Sequence, residues 1–356
     1  MRYPIETLII ISPGFPKDVD DTTCLPAQQL FVKTLNRIWP ELEVIVVALQ
    51  YPRHAKQYTW HGNKIIPFNG LSYGKLLRPV LWWRVNRRLE QVPTTKDTGI
   101  LSFWYADTAL VGKRFARKNG LPHFCWILGQ DARKQNPYVR WLKVDGAKMI
   151  ALSDFLASEF LRNHGERPSF IIPNGIDPAA YGPHTSTERS IEVLGVGSLI
   201  PLKQYEVFVD VVAGLKKDHP DIRAVLCGTG PEEGRLKEKI RTLDLEQNIL
   251  LAGEVPHKEA LSMMQESRIL LHPSSYEGYS SACLEALYAG CHVISFTQPE
   301  ERDIDHWHVV VTQEEMTTKA AEILEGSEHS SVLVHRMEES ARKIMELFNS
   351  GYQGRG

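Results

Sequence analysis

The amino-acid sequence predicts an α/β fold made of two doubly wound domains. Short β-branched runs alternate with longer segments of helical period, beginning with TLIIIS, QQLFVKTLNRIW and EVIVVAL. This alternation is typical of parallel sheets with helices on both faces. It starts again beyond residue 190, and a chain of 356 residues exceeds what one hydrophobic core usually organises. We therefore expect two domains, each with its own sheet.

The expected domain boundaries come from the segment between the two series of strands. A stretch rich in Pro, Gly, His and Thr at 173–190 reads as a linker. It separates an amino-terminal domain at 1–172 from a carboxy-terminal domain at 191–320. The segment 321–350 is polar and of helical period, with no strand left to pair. We expect it to pack outside the second sheet, with the amino-terminal domain as one surface that can receive it.

Composition limits the class of protein. No apolar run approaches the roughly 18 to 20 residues that cross a bilayer, and the start MRYPIETLIIISPGF reads as a buried strand, so we expect a cytoplasmic protein. The cysteines are odd in number and lack CxxC spacing, and no HExxH pair is present, which argues against a disulfide framework or a metal site. We expect reduced thiols at all five positions, Cys24, Cys125, Cys227, Cys283 and Cys291.

Charge is distributed unevenly along the chain. Residues 1–180 contain 24 Lys and Arg against 15 Asp and Glu, a balance of +9, and the remainder contains 17 against 28, a balance of −11. A basic amino-terminal half favours an anionic partner, which by charge alone is a nucleic acid, a phosphorylated acceptor or a membrane surface. Solvated surface charge explains the same balance equally well. We expect no nucleic-acid partner.

One basic segment, Lys75–Gln91, has the period of an amphipathic helix. Two interpretations of it stay open: a core helix bordered by surface arginines, and a helix that places the protein on an anionic membrane, at its inner face. The apolar stripe at every fourth position consists of Leu77, Leu81, Val85 and Leu89. The side chains that flank the stripe are Trp82, Trp83, Arg84, Arg87 and Arg88.

Open α/β sheets bind ligands beyond the carboxyl ends of their strands, so the loops at those ends are the candidate sites. GVGSLIPLK fails as a dinucleotide-binding fingerprint because Ile200 stands where a small residue is needed. CGTGPEE places Glu232 and Glu233 beside a helix start, where they would repel a pyrophosphate. An oxidoreductase built from two dinucleotide-binding domains is therefore disfavoured.

The segment LLHPSSYEGYSSACLEALYAGCHVISF carries the most chemistry. An apolar strand ends at Pro273, a polar loop carries Glu277, and a helix is predicted from about Ser281 to Ala289. Ser280 or Ser281 can cap this helix, whose start favours phosphate, and Glu285 lies about one turn inside it. Two carboxylates beside an anion-binding helix end suit a sugar nucleotide, which offers hydroxyls at both ends and a diphosphate between them.

These residues resemble a known family. Glu277-Gly278 and Glu285-Ala286 look like the E-x7-E segment of family 4 retaining glycosyltransferases of GT-B fold. Three further motifs are similar to that family's domain junction, strand end and GxGP turn, namely Pro173-Asn174-Gly175-Ile176-Asp177, Leu251-Ala252-Gly253-Glu254-Val255-Pro256 and Gly228-Thr229-Gly230-Pro231.

The resemblance implies two Rossmann-like domains facing across a cleft, with the donor held mainly by the second. It implies that Glu277 contacts hydroxyls of the donor sugar, that Glu285 binds the nucleotide ribose, and that Lys203 neutralises the departing diphosphate without a metal ion or other cofactor. Further donor-binding residues are then Ser198, Gly228, Glu254, Val255, Gly278, Tyr279, Ser280 and Ser281. On the acceptor side they are Gly14, Gly129, Asp131 and Asn174.

The chain also departs from the family pattern. Ser198 stands where the family usually has arginine, and Leu128 where many members have histidine. Asp18-Val19-Asp20-Asp21 looks like a metal-binding DxD motif, but it lacks the strand context, and we expect a solvent-exposed acidic loop.

The function that the resemblance implies is transfer of a sugar from a nucleotide diphosphate-sugar to a glycan or lipid-linked saccharide, with retention of configuration. A non-catalytic protein of the same fold that binds sugar nucleotides or glycans stays open as the alternative.

Overall fold

The computed structural model describes residues 5–74, 76–182, 189–326 and 328–349. The chain forms two compact units. Unit 1 comprises the residues up to Asn174 together with those from Met337 onward, and unit 2 comprises Gly175–Arg336. Each unit contains one predominantly parallel sheet with helices packed on it. The predicted α/β class with two doubly wound sheets is confirmed.

Unit 1 contains an eight-stranded sheet in the order β3-β4-β2-β1-β5-β6-β7-β8. All neighbouring strands are parallel except β3 and β4, which form an antiparallel hairpin. The central strand β1 is buried along most of its length, as expected for a strand covered on both faces. The strands are β1 (Thr7–Gly14), β2 (Glu43–Tyr51), β3 (Tyr58–Trp60), β4 (Asn63–Pro67), β5 (Thr98–Phe103), β6 (His123–Ile127), β7 (Met149–Ala151) and β8 (Phe170–Ile171).

The helices of unit 1 cover this sheet with amphipathic faces. Leu81, Val85 and Leu89 point into a core that also contains Ile9 and Phe115. The helices are α1 (Pro26–Ile38), α2 (Arg78–Leu89), α3 (Asp107–Asn119), α4 (Val139–Leu142), α5 (Asp154–His164) and, from the end of the chain, α11 (Met337–Glu346).

Unit 2 contains a six-stranded parallel sheet in the order β11-β10-β9-β12-β13-β14. Its strands are β9 (Ile191–Val196), β10 (Ala224–Cys227), β11 (Ile249–Gly253), β12 (Ser267–His272), β13 (His292–Ser295) and β14 (Trp307–Val309). Its helices are α6 (Tyr205–Leu215), α7 (Glu233–Thr242), α8 (His257–Gln265), α9 (Ser281–Tyr288) and α10 (Gln313–Leu324). Phe208 and Val212 of α6 meet Met316 of α10 in the core.

The unit boundaries differ from the expected domain boundaries. The chain passes from unit 1 to unit 2 after Asn174 and returns after Arg336, where Ile176 and Arg336 form a β-bridge. Within the expected linker 173–190, the described residues from Gly175 onward belong to unit 2, and residues 183–188 lie outside the described part. The segment 321–350 is divided: α10 packs on α6 within unit 2, and α11 packs on α1 within unit 1.

All five cysteines are free thiols. None of the helices in the described part of the chain combines the length and the apolarity that a membrane crossing requires.

Candidate functional site

The parallel strands of unit 2 deliver their carboxyl ends to one edge of the sheet, where the loops interlock through backbone contacts. The amide of Gly228 donates to the carbonyl of Gly253 at 2.6 Å, and the amide of Gly197 donates to that of Cys227 at 3.0 Å. A β-carbon on Gly228 would lie 1.9 Å from the carbonyl oxygen of Gly197, so only glycine fits there.

Lys203 and Glu277 form an ion pair at this edge. Lys203 ends a short 3-10 turn after β9, and Glu277 lies in the loop after β12. The two loops are tied together because the amide of Ser275 donates to the carbonyl of Leu202 at 3.0 Å. The side chains of the pair are only 18% and 22% exposed, which makes their charges effective on a ligand that enters here.

His272, the last residue of β12, completes this charged cluster. Its Nε2 lies 3.4 Å from Glu277 Oε2. Burial would raise the pKa of Glu277, but the contact with His272 and the charge of Lys203 outweigh it and lower the pKa to about 2. Burial and the nearby Lys203 lower the pKa of His272. Glu277 is therefore a carboxylate at neutral pH, and it can accept hydrogen bonds from hydroxyl groups but not donate a proton.

Helix α9 begins directly after this loop. The side chain of Ser280 caps it by accepting a hydrogen bond from the amide of Cys283. Glu285, about one turn inside the helix, has a side chain only 13% exposed, and its Oε1 lies 2.8 Å from Nε2 of His257 at the start of α8. The positive end of the α9 dipole thus lies between the loop of Glu277 and the carboxylate of Glu285.

Two buried hydroxyls near the cluster have no hydrogen-bond partner among the described residues. They are Oγ of Ser274 and the phenol oxygen of Tyr205. The Tyr205 hydroxyl lies against Gly197, and burial raises the pKa of Tyr205, with the charge of Glu277 adding to the effect. A buried hydroxyl without a partner costs about 1–3 kcal/mol, so both groups are suited to a polar ligand that satisfies them.

The other residues expected at the donor site lie in the loops after β9, β11 and β12 and at the start of α9. Gly278 is buried in the loop, Ser281 opens α9, and Ser198 and Glu254 are exposed after β9 and β11. Val255, which follows Glu254, is half-buried. The side chain of Tyr279 is buried and donates to Glu300 at 2.9 Å, so it holds the loop.

Unit 1 has its own candidate site at the carboxyl edge of its sheet. A pocket of about 570 Å³ is lined by polar and aromatic side chains from separate loops, including Trp104, Arg133 and Asn136. Asp131 lines this pocket, accepts from the amides of Tyr105 at 2.7 Å and Gly129 at 2.8 Å, and has a pKa that burial raises to about 6.

Three of the four residues expected on the acceptor side do not line this pocket. Gly14 ends β1 beside Tyr51, Gly129 forms the turn that Asp131 holds, and Asn174 is the last residue of unit 1 before the chain enters unit 2.

Several residues of both sites were not found from the sequence. Arg78 and Asp107 form an ion pair at 2.7 Å in the wall of the unit 1 pocket, where burial raises the pKa of Asp107 despite the charge of Arg78. His272 and His257 were missed in unit 2. His272 was within reach of the sequence, because it ends a predicted strand at the ligand-binding edge.

The acidic loop at Asp18–Asp21 requires a correction. Asp18 and Asp20 are exposed as expected, but Asp21 is buried. Its carboxylate accepts from the Tyr51 hydroxyl at 2.8 Å and the Lys17 amide at 3.1 Å, so it folds the loop. No group of three or more metal-ligating side chains within the described ranges is placed to hold an ion.

Most of the sequence of unit 2, together with part of α11, matches a family model. Residues 182–344 match the model described as glycosyl transferases group 1. Two solved structures resemble the whole chain. HepE of Anabaena in complex with UDP-glucose is 16% identical with a TM-score of 0.68 and covers 96% of this chain and 95% of its own. AviGT4, a glycosyltransferase involved in avilamycin A biosynthesis, is 14% identical with a TM-score of 0.67 and covers 99% of each chain.

The chain has the GT-B fold. Curated proteins align with part of this GT-B chain. The 2-deoxystreptamine N-acetyl-D-glucosaminyltransferase of Niallia circulans is 26% identical over 48% of this chain and 41% of that protein. A phosphatidylinositol N-acetylglucosaminyltransferase protein of Arabidopsis thaliana is 29% identical over 35% of this chain and 29% of that protein. The alignments span less than half the length of these curated relatives.

Proposed function

We propose that the chain transfers a sugar from a nucleoside diphosphate-sugar to an acceptor and holds the donor at the carboxyl edge of unit 2. The observation that carries this proposal is the ion pair of Lys203 and Glu277 directly before helix α9, with Glu285 one turn inside that helix. The match of this region to group 1 glycosyltransferases supports it.

Each charged group has a chemical task in this proposal. A departing nucleoside diphosphate develops negative charge, which the Lys203 ammonium and the start of α9 stabilise. Glu277, held ionised by Lys203 and His272, accepts hydrogen bonds from the donor sugar. Glu285, oriented by His257, accepts from the ribose hydroxyls. Ser274 and Tyr205 offer two further buried hydroxyls.

We propose that no metal ion takes part, because Lys203 and the start of α9 supply the positive charge that a divalent ion supplies elsewhere. Turnover is then unchanged within about twofold by EDTA. Activity that is lost with chelator and restored by Mn²⁺ contradicts this part of the proposal.

We propose retention of anomeric configuration and a saccharide or lipid-linked acceptor. The names of two relatives support a polyhydroxylated acceptor, free or lipid-linked, because one acts on the aminocyclitol 2-deoxystreptamine and another on a phosphatidylinositol. The five free thiols favour a reducing compartment, so we place the reaction in the cytoplasm, on the inner face of a membrane where the acceptor is lipid-linked.

The experiment that tests the proposal is a nucleotide-release assay. The protein is incubated with UDP-, GDP- and ADP-sugars, with and without lipid extract and a panel of saccharides, and the anomeric proton of the product is assigned by NMR. Release that requires an acceptor, with the donor configuration kept, supports the proposal. Nucleotide binding without release in any arm favours the non-catalytic alternative.

A further inference from the structure

Unit 1 exposes a group of large apolar side chains around helix α2. Leu76 is 94% exposed, Trp141 of α4 61% and Trp83 58%. Six of the thirteen large apolar residues that are exposed in the described part of the chain belong to this group. We call it the α2 surface; it consists of Leu71, Leu76, Leu77, Val80, Trp83 and Trp141.

Helix α2 has two faces with separate tasks. Leu81, Val85 and Leu89 are buried and fix the helix to the core. Val80, Trp83 and Arg87, spaced three and four residues apart, lie on the opposite side. Of the expected apolar stripe, Leu77 alone is exposed. The two interpretations of this segment are therefore compatible, since one face packs in the core while the other is open. Lys75 lies outside the described residues.

Aromatic contacts join α4 to this surface. The ring of Trp82 lies 6.0 Å from that of Trp141 and 6.2 Å from that of Tyr138. Trp141 is therefore a neighbour of α2 in space although it is more than fifty positions away in the chain. The exposed apolar side chains come from two separate segments, which sequence periodicity does not reveal.

The two segments that form the surface contain basic residues and no acidic ones. Residues 68–89 contain five Lys and Arg and no acidic residue, and residues 132–144 contain four and none. Arg84 lies over the ring of Tyr73 at 5.6 Å and Arg87 over that of Trp83 at 5.4 Å. These contacts hold the guanidinium groups beside the apolar side chains at the surface. Arg78 does not add to the positive charge of this surface, because it forms an ion pair with Asp107.

We propose that the α2 surface binds the headgroups and interfacial layer of an anionic lipid bilayer. The exposed tryptophan and leucine side chains suit the boundary of the acyl chains, and the neighbouring arginines suit the phosphate groups of the lipids. A second copy of the chain fits less well, because a twofold contact would bring this basic surface against itself. The inference is independent of the proposed sugar transfer.

The proposal is tested by co-sedimentation with vesicles of phosphatidylglycerol and phosphatidylcholine. The protein should pellet with these vesicles at low salt, stay in solution with pure phosphatidylcholine, and be released as salt increases. Wild-type protein that stays in the supernatant with anionic vesicles at low salt overturns the proposal, as does equal binding to neutral vesicles.

Two triple variants distinguish binding through the basic residues of α2 from binding through positive charge anywhere on the protein. Arg84→Glu/Arg87→Glu/Arg88→Glu should lower the vesicle partition coefficient at least about 100-fold, since each basic residue near an anionic leaflet contributes about fivefold. The matched control, Lys217→Glu/Lys237→Glu/Arg241→Glu, makes the same change of charge on exposed positions of unit 2 and should retain most of the binding. Equal losses in the two triple variants contradict the assignment to α2.

A second pair of variants tests the apolar part. Leu76→Ser/Trp83→Ser should lower the partition coefficient about tenfold or more, whereas Leu250→Ser/Val311→Ser, at residues 60% and 84% exposed in unit 2, should not. Circular dichroism checks that all variants fold. Light scattering that shows a wild-type dimer, broken by Leu76→Ser/Trp83→Ser, assigns the surface to a second copy and overturns the lipid proposal.

Discussion

Units 1 and 2 have the same doubly wound architecture, but their candidate sites are built differently. In unit 2 the charged groups are few and lie close to one helix start, as Lys203, Glu277 and Glu285 show. In unit 1 the ion pair of Arg78 and Asp107 lies in the wall of a pocket of about 570 Å³ that is lined by aromatic and amide side chains. The compact charged cluster suits a diphosphate, and the aromatic and amide lining of the unit 1 pocket suits a ligand that is recognised through several separate contacts.

The sequence match to the family model follows the same division. The family model matches residues 182–344, which are almost entirely in unit 2. Under the proposed function, a donor chemistry shared with these proteins requires a common arrangement of charges in unit 2, whereas unit 1 can vary with the acceptor. Variants in each unit test whether the donor chemistry belongs to unit 2 alone.

The largest expected effect is on turnover in Lys203→Ala. Removing the ammonium that stabilises the departing diphosphate should lower kcat by about 10²- to 10³-fold. The exposed pair of Lys237 with Glu233 provides a matched control in the same unit, and Lys237→Ala should keep wild-type turnover. Steady-state nucleotide release measures both. A Lys203→Ala protein within about threefold of wild type would remove the basis of the proposed mechanism.

The next prediction separates the two carboxylates of unit 2. Glu285→Gln should weaken UDP binding by about 10- to 100-fold, because a hydrogen bond to a charged group contributes about 1.5–3 kcal/mol and the ribose does not react. Glu277→Gln should mainly lower kcat and leave UDP affinity within about threefold. Calorimetry with UDP and steady-state kinetics measure the two effects. Equal losses of UDP affinity in both variants contradict this division of labour.

How much of these sites could be predicted depends on how they are distributed along the chain. Glu277, Ser280 and Glu285 lie within nine consecutive residues, so strand end, cap and helix period place them together from the sequence alone. Their partners His272 and His257 come from the end of β12 and the start of α8. Pairing them with the carboxylates requires the sheet order and the packing of α8 on α9, which sequence periodicity does not contain.

The sequence predicts the two sheets and the helices that cover them, but it predicts the boundaries between the two units less well. Buried runs such as β1 and β9 are long and β-branched, so the two series of strands are visible in the sequence. At the end of the chain, the amino-terminal domain was the expected partner of the last segment, and α11 does pack on α1 in unit 1, but the division between α10 and α11 was not predicted. The unit 1 pocket was missed because Arg78 and Asp107 lie 29 positions apart, and no single motif contains both.

Acid should affect unit 2 before unit 1. Burial lowers the pKa of His308 and of His329 to about 4, and it also lowers that of His292. These histidines bind a proton more readily in the unfolded chain, where the pKa is about 6.5, than in the folded one, where it is about 4 for His308 and His329. Protonation therefore favours unfolding, and stability is lost as pH falls through this range. Because His308 and His329 are only partly buried, solvent screening reduces the effect, and we expect the free energy of unfolding of unit 2 to fall by about 1–2 kcal/mol between pH 6.5 and pH 5.

Unit 1 should respond less over the same pH range, because several of its groups oppose one another, as His123 and Asp131 show. Burial lowers the pKa of His123 to about 3, which favours the folded state at higher pH. Burial raises the pKa of Asp131 to about 6, which favours the folded state at lower pH. Hydrogen exchange measured at several pH values should show β13 and β14 losing protection before β5 and β6. His308→Gln/His329→Gln should flatten the response of unit 2, and an unchanged slope in that variant would be evidence against these histidines.

The smallest expected effect compares two serine caps, one in each unit. Ser280 accepts from the amide of Cys283 at the start of α9, and Ser153 accepts from that of Leu156 at the start of α5. Ser280→Ala and Ser153→Ala should each cost about 1 kcal/mol of stability in urea unfolding, since both remove one buried cap. The start of α9, however, is where we place the diphosphate, and a frayed first turn presents its dipole less well. Ser280→Ala should therefore weaken UDP binding about threefold to tenfold, whereas Ser153→Ala should leave it unchanged. If the two variants lose equal stability and neither changes UDP affinity, the start of α9 does not hold the diphosphate, and Lys203 alone would have to do so.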